Sequence, residues 1–361
     1  MQYHLVLTER CNLSCSYCGG TRHQEGLPLD HVYSISDLKR FIEKDPEPVI
    51  EFYGGEPTLA LDFMYKVMDN ISAKAYTLQT NATHLSELDD AHLRRLHSIL
   101  VSIDGGREVT DLNRGAGTYD KVIRNLKKVK SRGYEGDIVA RMAFSKNGDI
   151  KRDVCHLLWL SDPKFDHIHW QLDVFWNELE KWNDLESWLV RYEDGISELV
   201  QIFYNGLTKG KVLGVVPFIP LLRTLLTREP VPHIWCGSGV DSFAIMTSGN
   251  IEVCPIAPEL PYSNVGNIYD NSPEDLRDAL RVGPPCTECE DLWVCGGRCL
   301  FANETMFWGR DLFDRVCDAT RHMISELESI VEPTRKLLER GIISKDAFDY
   351  PKLNNGCEVI P

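Results

Sequence analysis

Three cysteines stand close together near the start of the chain, directly after a short apolar segment. Cys11, Cys15 and Cys18 have the spacing C-x3-C-x2-C and follow the strand-like residues 3–7. Three thiolates in one loop can ligate three irons of a cubane [4Fe–4S] cluster and leave the fourth iron open, whereas an electron-transfer cluster normally takes four cysteines. A zinc site or buried thiols are the alternatives, but zinc sites usually combine C-x2-C with a second pair or with histidines nearby. The spacing therefore favours a cluster loop with one iron free to bind a reactant.

Apolar strand-like segments alternate with helical segments over the first half of the chain. Such alternation favours a parallel sheet with right-handed crossovers. Six strands are too few for a closed eight-stranded barrel, so we expect an α/β fold with a partial (β/α)6 TIM-like barrel that is open on one side. The predicted strands are residues 4–7, 49–53, 75–79, 99–103, 137–144 and 167–172, and the clearest predicted helices are 36–43, 61–73 and 119–132.

The rest of the chain changes character twice. A Trp- and Leu-rich stretch is expected to form two or more helices interrupted by Pro217 and Pro220. The cysteine-rich stretch after it is expected to hold little regular structure and to depend on bound clusters. We divide the chain into a barrel (1–175), a helical bridging region (176–232), an irregular cysteine-rich domain (233–325), and a C-terminal helix (327–340) with a tail (326–361 together).

Polar motifs follow the predicted strands, at the edge where a parallel barrel carries its chemistry. Gly54, Gly55, Glu56 and Pro57 follow the second strand. The two glycines allow a backbone turn close to a ligand, and the carboxylate can hold an ammonium group. Arg141 lies in the apolar fifth strand and can bind a carboxylate through two hydrogen bonds. Taken alone, the tetrapeptide is also an ordinary turn and the arginine a surface residue.

Two further strand ends carry polar side chains. Asn81 follows the third predicted strand, and Ser102 and Asp104 lie at the end of the fourth. A hydroxyl and a carboxylate are suitable partners for ribose hydroxyls. A Ser-x-Asp-Gly run is equally a turn at the end of a strand.

Seven more cysteines follow the bridging region. They include a C-x2-C pair, which is also typical of zinc ribbons, so a zinc site is the alternative interpretation. They are Cys236, Cys254, Cys286, Cys289, Cys295, Cys299 and Cys317.

The motifs together resemble the radical S-adenosylmethionine (SAM) enzymes, over nearly all of residues 1–320. The cysteine loop resembles the cluster loop of that family, and the later cysteines resemble its SPASM extension. Ala82 replaces a glycine usual in the family, and Asn113, Arg114, Gly115 and Gly117 resemble a loop of SPASM-type enzymes to which we assign no contact. The resemblance implies SAM contacts by Tyr17, Gly54, Gly55, Glu56, Pro57, Asn81, Ser102, Asp104 and Arg141.

The resemblance also implies three [4Fe–4S] clusters. Cys11, Cys15 and Cys18 would hold the cluster that binds SAM. An outer auxiliary cluster would take Cys286, Cys289, Cys295 and Cys317, and an inner one Cys236, Cys254 and Cys299. The inner cluster is then one ligand short, and Asp241, a distant residue, water or substrate would complete it. Cys155 and Cys357 stay outside these ligand sets.

The implied reaction is reductive cleavage of SAM to a 5′-deoxyadenosyl radical that abstracts hydrogen from a peptide or protein. The result would be a crosslink, an epimerisation or an oxidation, with flavodoxin or ferredoxin as external one-electron reductant. No catalytic acid, base or nucleophile is nominated. Pro255, directly after Cys254, argues against sulfatase maturation, and no leader-binding domain fits before Cys11. A dehydrogenase or mutase acting on a small molecule is the alternative enzyme, and an iron–sulfur electron carrier or zinc scaffold is the alternative without catalysis.

Charge and composition indicate which kinds of binding partner and which cellular location to expect. The chain has 361 residues, 39 basic and 54 acidic side chains, and a net charge of -15. Nucleic acid is not an expected partner because a phosphate backbone needs a basic footprint. No apolar run reaches the roughly 18 residues of a membrane span, and no signal peptide precedes the first strand. We therefore expect a cytoplasmic protein in which ten of the twelve cysteines serve as thiolate ligands, and ligation explains the cysteine spacings better than disulfides do.

Overall fold

One sheet of nine strands organises the part of the chain that the computed structural model describes, namely residues 1–18, 27–173, 182, 184–258, 260–354 and 359–361. The strands are β1 (Gln2–Thr8), β2 (Val49–Gly54), β3 (Ala75–Thr80), β4 (Leu96–Ser102), β5 (Asp137–Phe144), β6 (His167–Leu172), β7 (Ser242–Ile245), β8 (Asn250–Glu252) and β9 (Asn264–Asn267). Their order across the sheet is β6-β5-β4-β3-β2-β1-β7-β8-β9. Strands β1 to β6 pair in parallel, which confirms the predicted partial barrel.

Alternate residues of β1 face two different surroundings. Tyr3, Leu5 and Leu7 belong to the main hydrophobic core, whereas His4 and Val6 line a cavity inside the barrel. All seven residues are buried, as expected for a parallel strand covered on both faces. The inner face of the barrel is therefore where polar side chains in the strands acquire a role.

Helices surround the sheet and are often capped by side chains. The helices are α1 (Ile35–Ile42), α2 (Leu61–Asn70), α3 (Asp90–Leu93), α4 (Arg107–Arg114), α5 (Thr118–Ser131), α6 (Ile150–Trp159), α7 (Leu185–Leu207), α8 (Phe218–Thr227), α9 (Pro273–Leu276), α10 (Leu292–Cys295), α11 (Leu300–Thr305), α12 (Arg310–Ser329) and α13 (Val331–Glu339). Short 3₁₀ turns cover Pro57–Ala60, Leu85–Glu87, Cys286–Glu288, Lys345–Phe348 and Lys352–Asn354. Ser34 caps α1 by accepting a hydrogen bond from the Asp37 N–H. None of the helices in the described ranges is long and apolar enough to cross a membrane.

The bridging region differs from its prediction in the role of its prolines. Pro217 caps α8 and Pro220 lies in its first turn. Proline is tolerated there because the first four N–H groups of a helix have no partner within the helix. The two prolines therefore begin a helix and do not interrupt one.

The prediction of little regular structure after residue 233 is wrong. Strand β7 pairs in parallel with β1, with Gln2 opposite Ser242, and β8 and β9 add two antiparallel strands. These strands have only three or four residues, too few for a periodic signal. Helix α12 packs on α7, where Arg315 pairs with Glu186 and Glu193. The cysteine-rich region thus continues the barrel sheet.

The C-terminal region also differs from the predicted helix and tail. The predicted helix over residues 327–340 is split at Ile330, which separates α12 from α13. The Tyr350 ring packs edge-on against His167 at the start of β6, with ring centroids 4.7 Å apart. Lys352 donates a hydrogen bond to Asp241, just before β7, at 2.8 Å. This segment therefore packs where strands begin, at the end of the barrel opposite the strand-end motifs.

Candidate functional site

A cavity of about 600 Å³ opens at the carboxyl ends of the parallel strands. It gathers most of the residues that the sequence selects, although they come from different strand ends. Pro57 and Asp104 are not among its lining residues. The predicted residues that line it are Cys11, Cys15, Cys18, Tyr17, Gly54, Gly55, Glu56, Asn81, Ser102, Arg141, Cys236 and Cys254.

The three-cysteine loop lies at the edge of this cavity. The Ser16 N–H donates to the Asn113 carbonyl at 2.9 Å and fixes the loop to the end of α4. Burial raises the pKa of the Cys11 thiol, and raises that of Cys15 to about 11 although Arg114 partly offsets it. Metal ligation requires the thiolate, so cluster binding here must release protons. A set of three thiols on one wall of a cavity fits a cubane with one open iron.

Gly54 and Gly55 allow the second strand to approach this loop. A Cβ on Gly54 would lie 2.3 Å from the Thr8 carbonyl oxygen, and one on Gly55 would lie 2.4 Å from that of Arg10. The Gly55 and Glu56 N–H groups donate to these same two oxygens at 2.9 and 2.8 Å. Both glycines are therefore required by a close approach to backbone, at the end of β1 for Gly54 and directly before Cys11 for Gly55.

Glu56 is fully buried at the cavity wall, and protein groups hold its carboxylate in place. Oε1 accepts hydrogen bonds from the Thr58 N–H, the Thr58 hydroxyl and the Thr80 hydroxyl at 3.0, 2.5 and 2.6 Å. Oε2 accepts from the Asn81 N–H at 2.7 Å. Burial raises the pKa of Glu56, and these hydrogen bonds partly offset the effect. A carboxylate oxygen has two lone pairs, so within the described residues Oε2 is the oxygen with an acceptor position left for a ligand.

Asn81 connects the end of β3 to the cysteine loop. Its Nδ2 donates to Asn12 Oδ1 at 2.9 Å and lies 3.9 Å from Cys11 Sγ. The next residue, Ala82, has a left-handed φ of 58°. Such a conformation disfavours any residue with a Cβ, which gives a physical reason for a glycine at this position in related sequences.

Asp104 binds protein groups on both carboxylate oxygens. It accepts two hydrogen bonds from Arg114, at 3.0 and 2.7 Å, and one from the Tyr17 hydroxyl at 2.7 Å. Arg114 also lies over the Tyr17 ring, 5.4 Å from its centroid. Asp104 is 2% exposed, so its position suits anchoring Tyr17 and Arg114 better than direct contact with ribose. The segment of residues 113–117, to which no contact was assigned above, therefore holds the cysteine loop in place through Arg114.

Arg141 and Ser102 lie on neighbouring strands and both line the cavity. Arg141 donates to Gln171 Oε1 at 2.5 Å and contacts His169 Nδ1, both on β6. These contacts orient the guanidinium along the inner wall of the barrel. The guanidinium lines the same cavity as Glu56.

A polar chain that sequence reasoning missed lies deeper in the same cavity. His4 Nε2 is 3.1 Å from Ser242 Oγ, and His4 Nδ1 is 3.3 Å from Glu51 Oε2. All three side chains are buried, and Gln2 donates to Glu51 Oε2 at 3.1 Å. The three residues are far apart in sequence and come from three strands. The signal that could have revealed these residues in the sequence is a polar residue at an inward-facing position of an otherwise apolar strand.

A second cavity, of about 500 Å³, collects the four cysteines of the predicted outer set together with Cys299. Burial raises the pKa of Cys286 to about 11 and that of Cys295 to about 12, and the nearby Cys317 thiol adds to both increases. Across the described ranges, no three His, Cys, Asp or Glu side chains are close enough to share a single ion. The four thiols of the predicted outer set line this cavity together.

The predicted inner set lies between the two cavities. Cys236 and Cys254 line the first cavity and Cys299 lines the second. The Tyr262 hydroxyl is close enough to Cys254 and Cys299 for both to raise its pKa, although burial is the main cause. Asp241, named above as a candidate fourth ligand, pairs with Lys352 at 2.8 Å and lies 3.7 Å from His233.

Cys155 and Cys357 are the two cysteines without a predicted ligand role. Cys155 lies on α6 and packs against the main core, away from both cavities. Cys357 lies outside the described residues.

Comparison with known proteins identifies the first part of the chain. Residues 5–147 match the sequence model of the radical SAM superfamily. The chain carries a radical SAM domain. The superfamily implies SAM and a [4Fe–4S] cluster as cofactors, and the matched residues include the three-cysteine loop, Glu56, Ser102 and Arg141.

Curated relatives match the chain over a limited stretch. An uncharacterized protein of Methanocaldococcus jannaschii is 31% identical over 120 residues, which are 31% of this chain and 41% of the relative. The 7,8-dihydro-6-hydroxymethylpterin dimethyltransferase of the same organism is 32% identical over 142 residues, 35% of this chain and 27% of the relative. The mycofactocin maturase MftC of Mycolicibacterium smegmatis is 27% identical over 151 residues, 40% and 38% of the two chains. Each match spans less than two thirds of the relative's own length.

Solved structures share the fold over most of the chain. Native anSMEcpe with bound AdoMet has a TM-score of 0.72 at 20% identity, and the match covers 94% of this chain and all of that one. Streptococcus suis SuiB bound to S-adenosylmethionine has a TM-score of 0.52 at 15% identity, covering 83% of this chain and 73% of that one. The shared fold thus extends beyond the radical SAM domain into the cysteine-rich region.

Proposed function

We propose that this protein is a radical SAM enzyme of the SPASM type that modifies a peptide or protein. The observation that carries the proposal is the first cavity, which is lined both by the three-cysteine loop and by Cys236 and Cys254. A substrate in this cavity would lie between the radical-generating cofactors and an auxiliary cluster. When bound, SAM and its cluster supply the 5′-deoxyadenosyl radical.

The residues of the chain would hold and orient SAM. Glu56 Oε2 offers an acceptor to the ammonium group, and Arg141 offers paired donors to the carboxylate. Ser102 lies beside Arg141 on the neighbouring strand and is available to the ribose. Tyr17 lines the same cavity, and its hydroxyl donates a hydrogen bond to Asp104.

A peptide is the substrate class that the cavity and the relatives favour. Beyond Cys254 the cavity wall is apolar, with Pro255, Ile256 and Phe301, and it ends at the exposed Phe307. An apolar wall that ends at an exposed aromatic residue offers a surface on which side chains of a polypeptide could pack. MftC is named a maturase, and SuiB has been solved bound to its precursor peptide SuiA.

The chain of Ser242, His4 and Glu51 would accept the proton that a substrate releases on oxidation. His4 Nε2 lies 3.1 Å from Ser242 Oγ, and His4 Nδ1 lies 3.3 Å from Glu51 Oε2. The imidazole would take the proton, and the nearby Glu51 carboxylate would stabilise the charge that the imidazole gains. The electron from the same substrate position would pass to the oxidised auxiliary cluster, and an external flavodoxin or ferredoxin would supply the electron for SAM cleavage.

Anaerobic reconstitution followed by mass spectrometry tests this function. Iron and sulfide analysis should give three clusters, and dithionite with SAM should yield 5′-deoxyadenosine. Co-expression with short peptides encoded beside the gene should then give a mass change in one peptide. Zinc without iron would contradict the cofactor assignment, whereas 5′-deoxyadenosine release stimulated by a small molecule and by no peptide would favour the dehydrogenase or mutase.

A further inference from the structure

The second cavity contains a buried positive charge among its cysteines. Arg298 lines this cavity and is 4% exposed, and it directly precedes Cys299. Its φ is 53°, and Gly296 and Gly297 before it also have positive φ. A residue with a Cβ is disfavoured in this left-handed region. Such a backbone persists only when the surroundings enforce it, and it is often found at functional sites.

The contacts of Arg298 keep its guanidinium near the thiols. Its Nη1 donates to the Pro361 carbonyl at 3.3 Å. Arg298 lines the same cavity as Cys286, Cys289, Cys295 and Cys317. The geometry therefore places this buried guanidinium beside the cysteines of the outer set.

The other two arginines of the cavity are different. Arg321 Nη2 lies 3.9 Å from Cys289 Sγ, but it also pairs with Asp291 and Asp318 and is 45% exposed. Arg310 pairs with Asp314 at 2.7 Å and is 59% exposed. Both side chains are more than a third exposed, so solvent screens their charges. The charge of Arg298 acts through protein of lower effective dielectric and is screened much less.

We propose that Arg298 raises the reduction potential of the outer cluster held by Cys286, Cys289, Cys295 and Cys317, and so makes it an electron acceptor. The proposal rests on the proposed function, which assigns a cluster to these cysteines. Reduction adds one electron to the cluster and makes or breaks no bond, with dithionite as electron source in the test and the oxidised substrate position in the reaction. The added negative charge is stabilised by a fixed, buried positive charge, and cluster potentials depend on such nearby charges.

A redox titration of the reconstituted holoenzyme, followed by electron paramagnetic resonance, tests this role. Arg298→Gln should lower the equilibrium constant for reduction of one auxiliary signal by about tenfold or more, which is about 59 mV per tenfold for one electron. Arg298→Lys keeps the charge and should stay within about threefold of wild type, or about 30 mV by the same constant. Arg310→Gln, on the same cavity but exposed and paired, is the matched control and should also stay within that range.

The outcomes separate this inference from the proposed function. Unchanged potentials in Arg298→Gln with full iron content would overturn the role of Arg298 while leaving the clusters in place. A Lys variant that behaves like the Gln variant would show that hydrogen bonding or packing, and not charge, is responsible. Wild-type protein without auxiliary clusters would overturn both.

If Arg298→Gln fails to bind its clusters, the salt dependence of the reduction potential of the wild-type auxiliary cluster provides a second test. A buried charge is little affected by ionic strength, so the potential should change little between about 0.01 and 1 M salt, where the Debye length falls from about 30 to 3 Å. A large change would assign the effect to the exposed Arg310 and Arg321 and overturn the proposal.

Discussion

Replacing Glu56 with Gln tests the SAM site most specifically among single substitutions. A charge-assisted hydrogen bond to an ammonium contributes about 1.5–3 kcal/mol, which corresponds to a loss of roughly 10- to 150-fold in affinity at about 1.4 kcal/mol per tenfold. Glu56→Ala would in addition leave the Thr58 and Asn81 N–H groups without their acceptor. Each such buried donor costs about 1–3 kcal/mol, so the Gln variant separates charge from local folding better than the Ala variant.

Equilibrium binding of SAM to the reconstituted protein measures the effect. We expect Glu56→Gln to keep its iron content and to bind SAM at least about tenfold more weakly. Thr80→Val is the matched control, because it removes one hydrogen bond to Glu56 Oε1 and keeps the charge, and its loss should be smaller. Equal SAM affinity in wild type and Glu56→Gln would refute the ammonium contact and leave residues 54–57 as a structural turn.

The pH dependence of the same binding gives an independent check. Burial raises the pKa of Glu56 above its ordinary value of 4.5, so the free protein loses this carboxylate charge at a higher pH than an exposed glutamate would. SAM affinity of the wild type should therefore fall as the pH is lowered through the raised pKa, above 4.5, and approach that of Glu56→Gln. By linkage, the raised pKa also makes the SAM-free wild type less stable as pH rises through this window, because the unfolded chain releases the proton first.

Two further substitutions test the parts of the site that the structure revealed. Arg114→Gln leaves Asp104 buried without its ion pair, and should lower the free energy of unfolding, measured with urea, by about 3–5 kcal/mol. The double variant with Asp104→Asn should lose less stability than the two single variants lose together. Strictly additive losses would refute the coupling between the two residues. With a peptide substrate, His4→Gln should slow modification by about 100-fold or more, as expected for loss of a general base, while 5′-deoxyadenosine release changes little. An equal fall in both would assign His4 to shaping the cavity.

The sequence predicted the barrel because its signals are local. Six parallel strands alternate with helices, and the bounds of β5 and β6 match the prediction. The cysteine loop and Glu56 were found because each follows a strand, and parallel strands end at one edge. The cysteine spacing and the apolar segments before each motif were enough to identify these residues and to predict that they lie close together.

The parts of the fold and of the site that the sequence did not predict depend on contacts between segments that are far apart in the chain. The pairing of β7 with β1 brings Ser242 to His4, and nothing in either short strand indicates the other. Asp104 was expected to face a ligand, but Arg114, ten residues later, binds both of its oxygens. Arg298 follows two glycines whose positive φ turns the backbone, and a sequence pattern does not show where the side chain then lies.

The most direct test of the central claim compares SAM cleavage by the wild type and by a variant with Cys11, Cys15 and Cys18 all replaced by Ala. These three thiols line the cavity beside Glu56, whereas the four outer cysteines line a separate one. We predict that the variant keeps its auxiliary clusters and forms no 5′-deoxyadenosine with dithionite and SAM, while the wild type forms it. Formation of 5′-deoxyadenosine by the triple variant would contradict the assignment of radical chemistry to this loop.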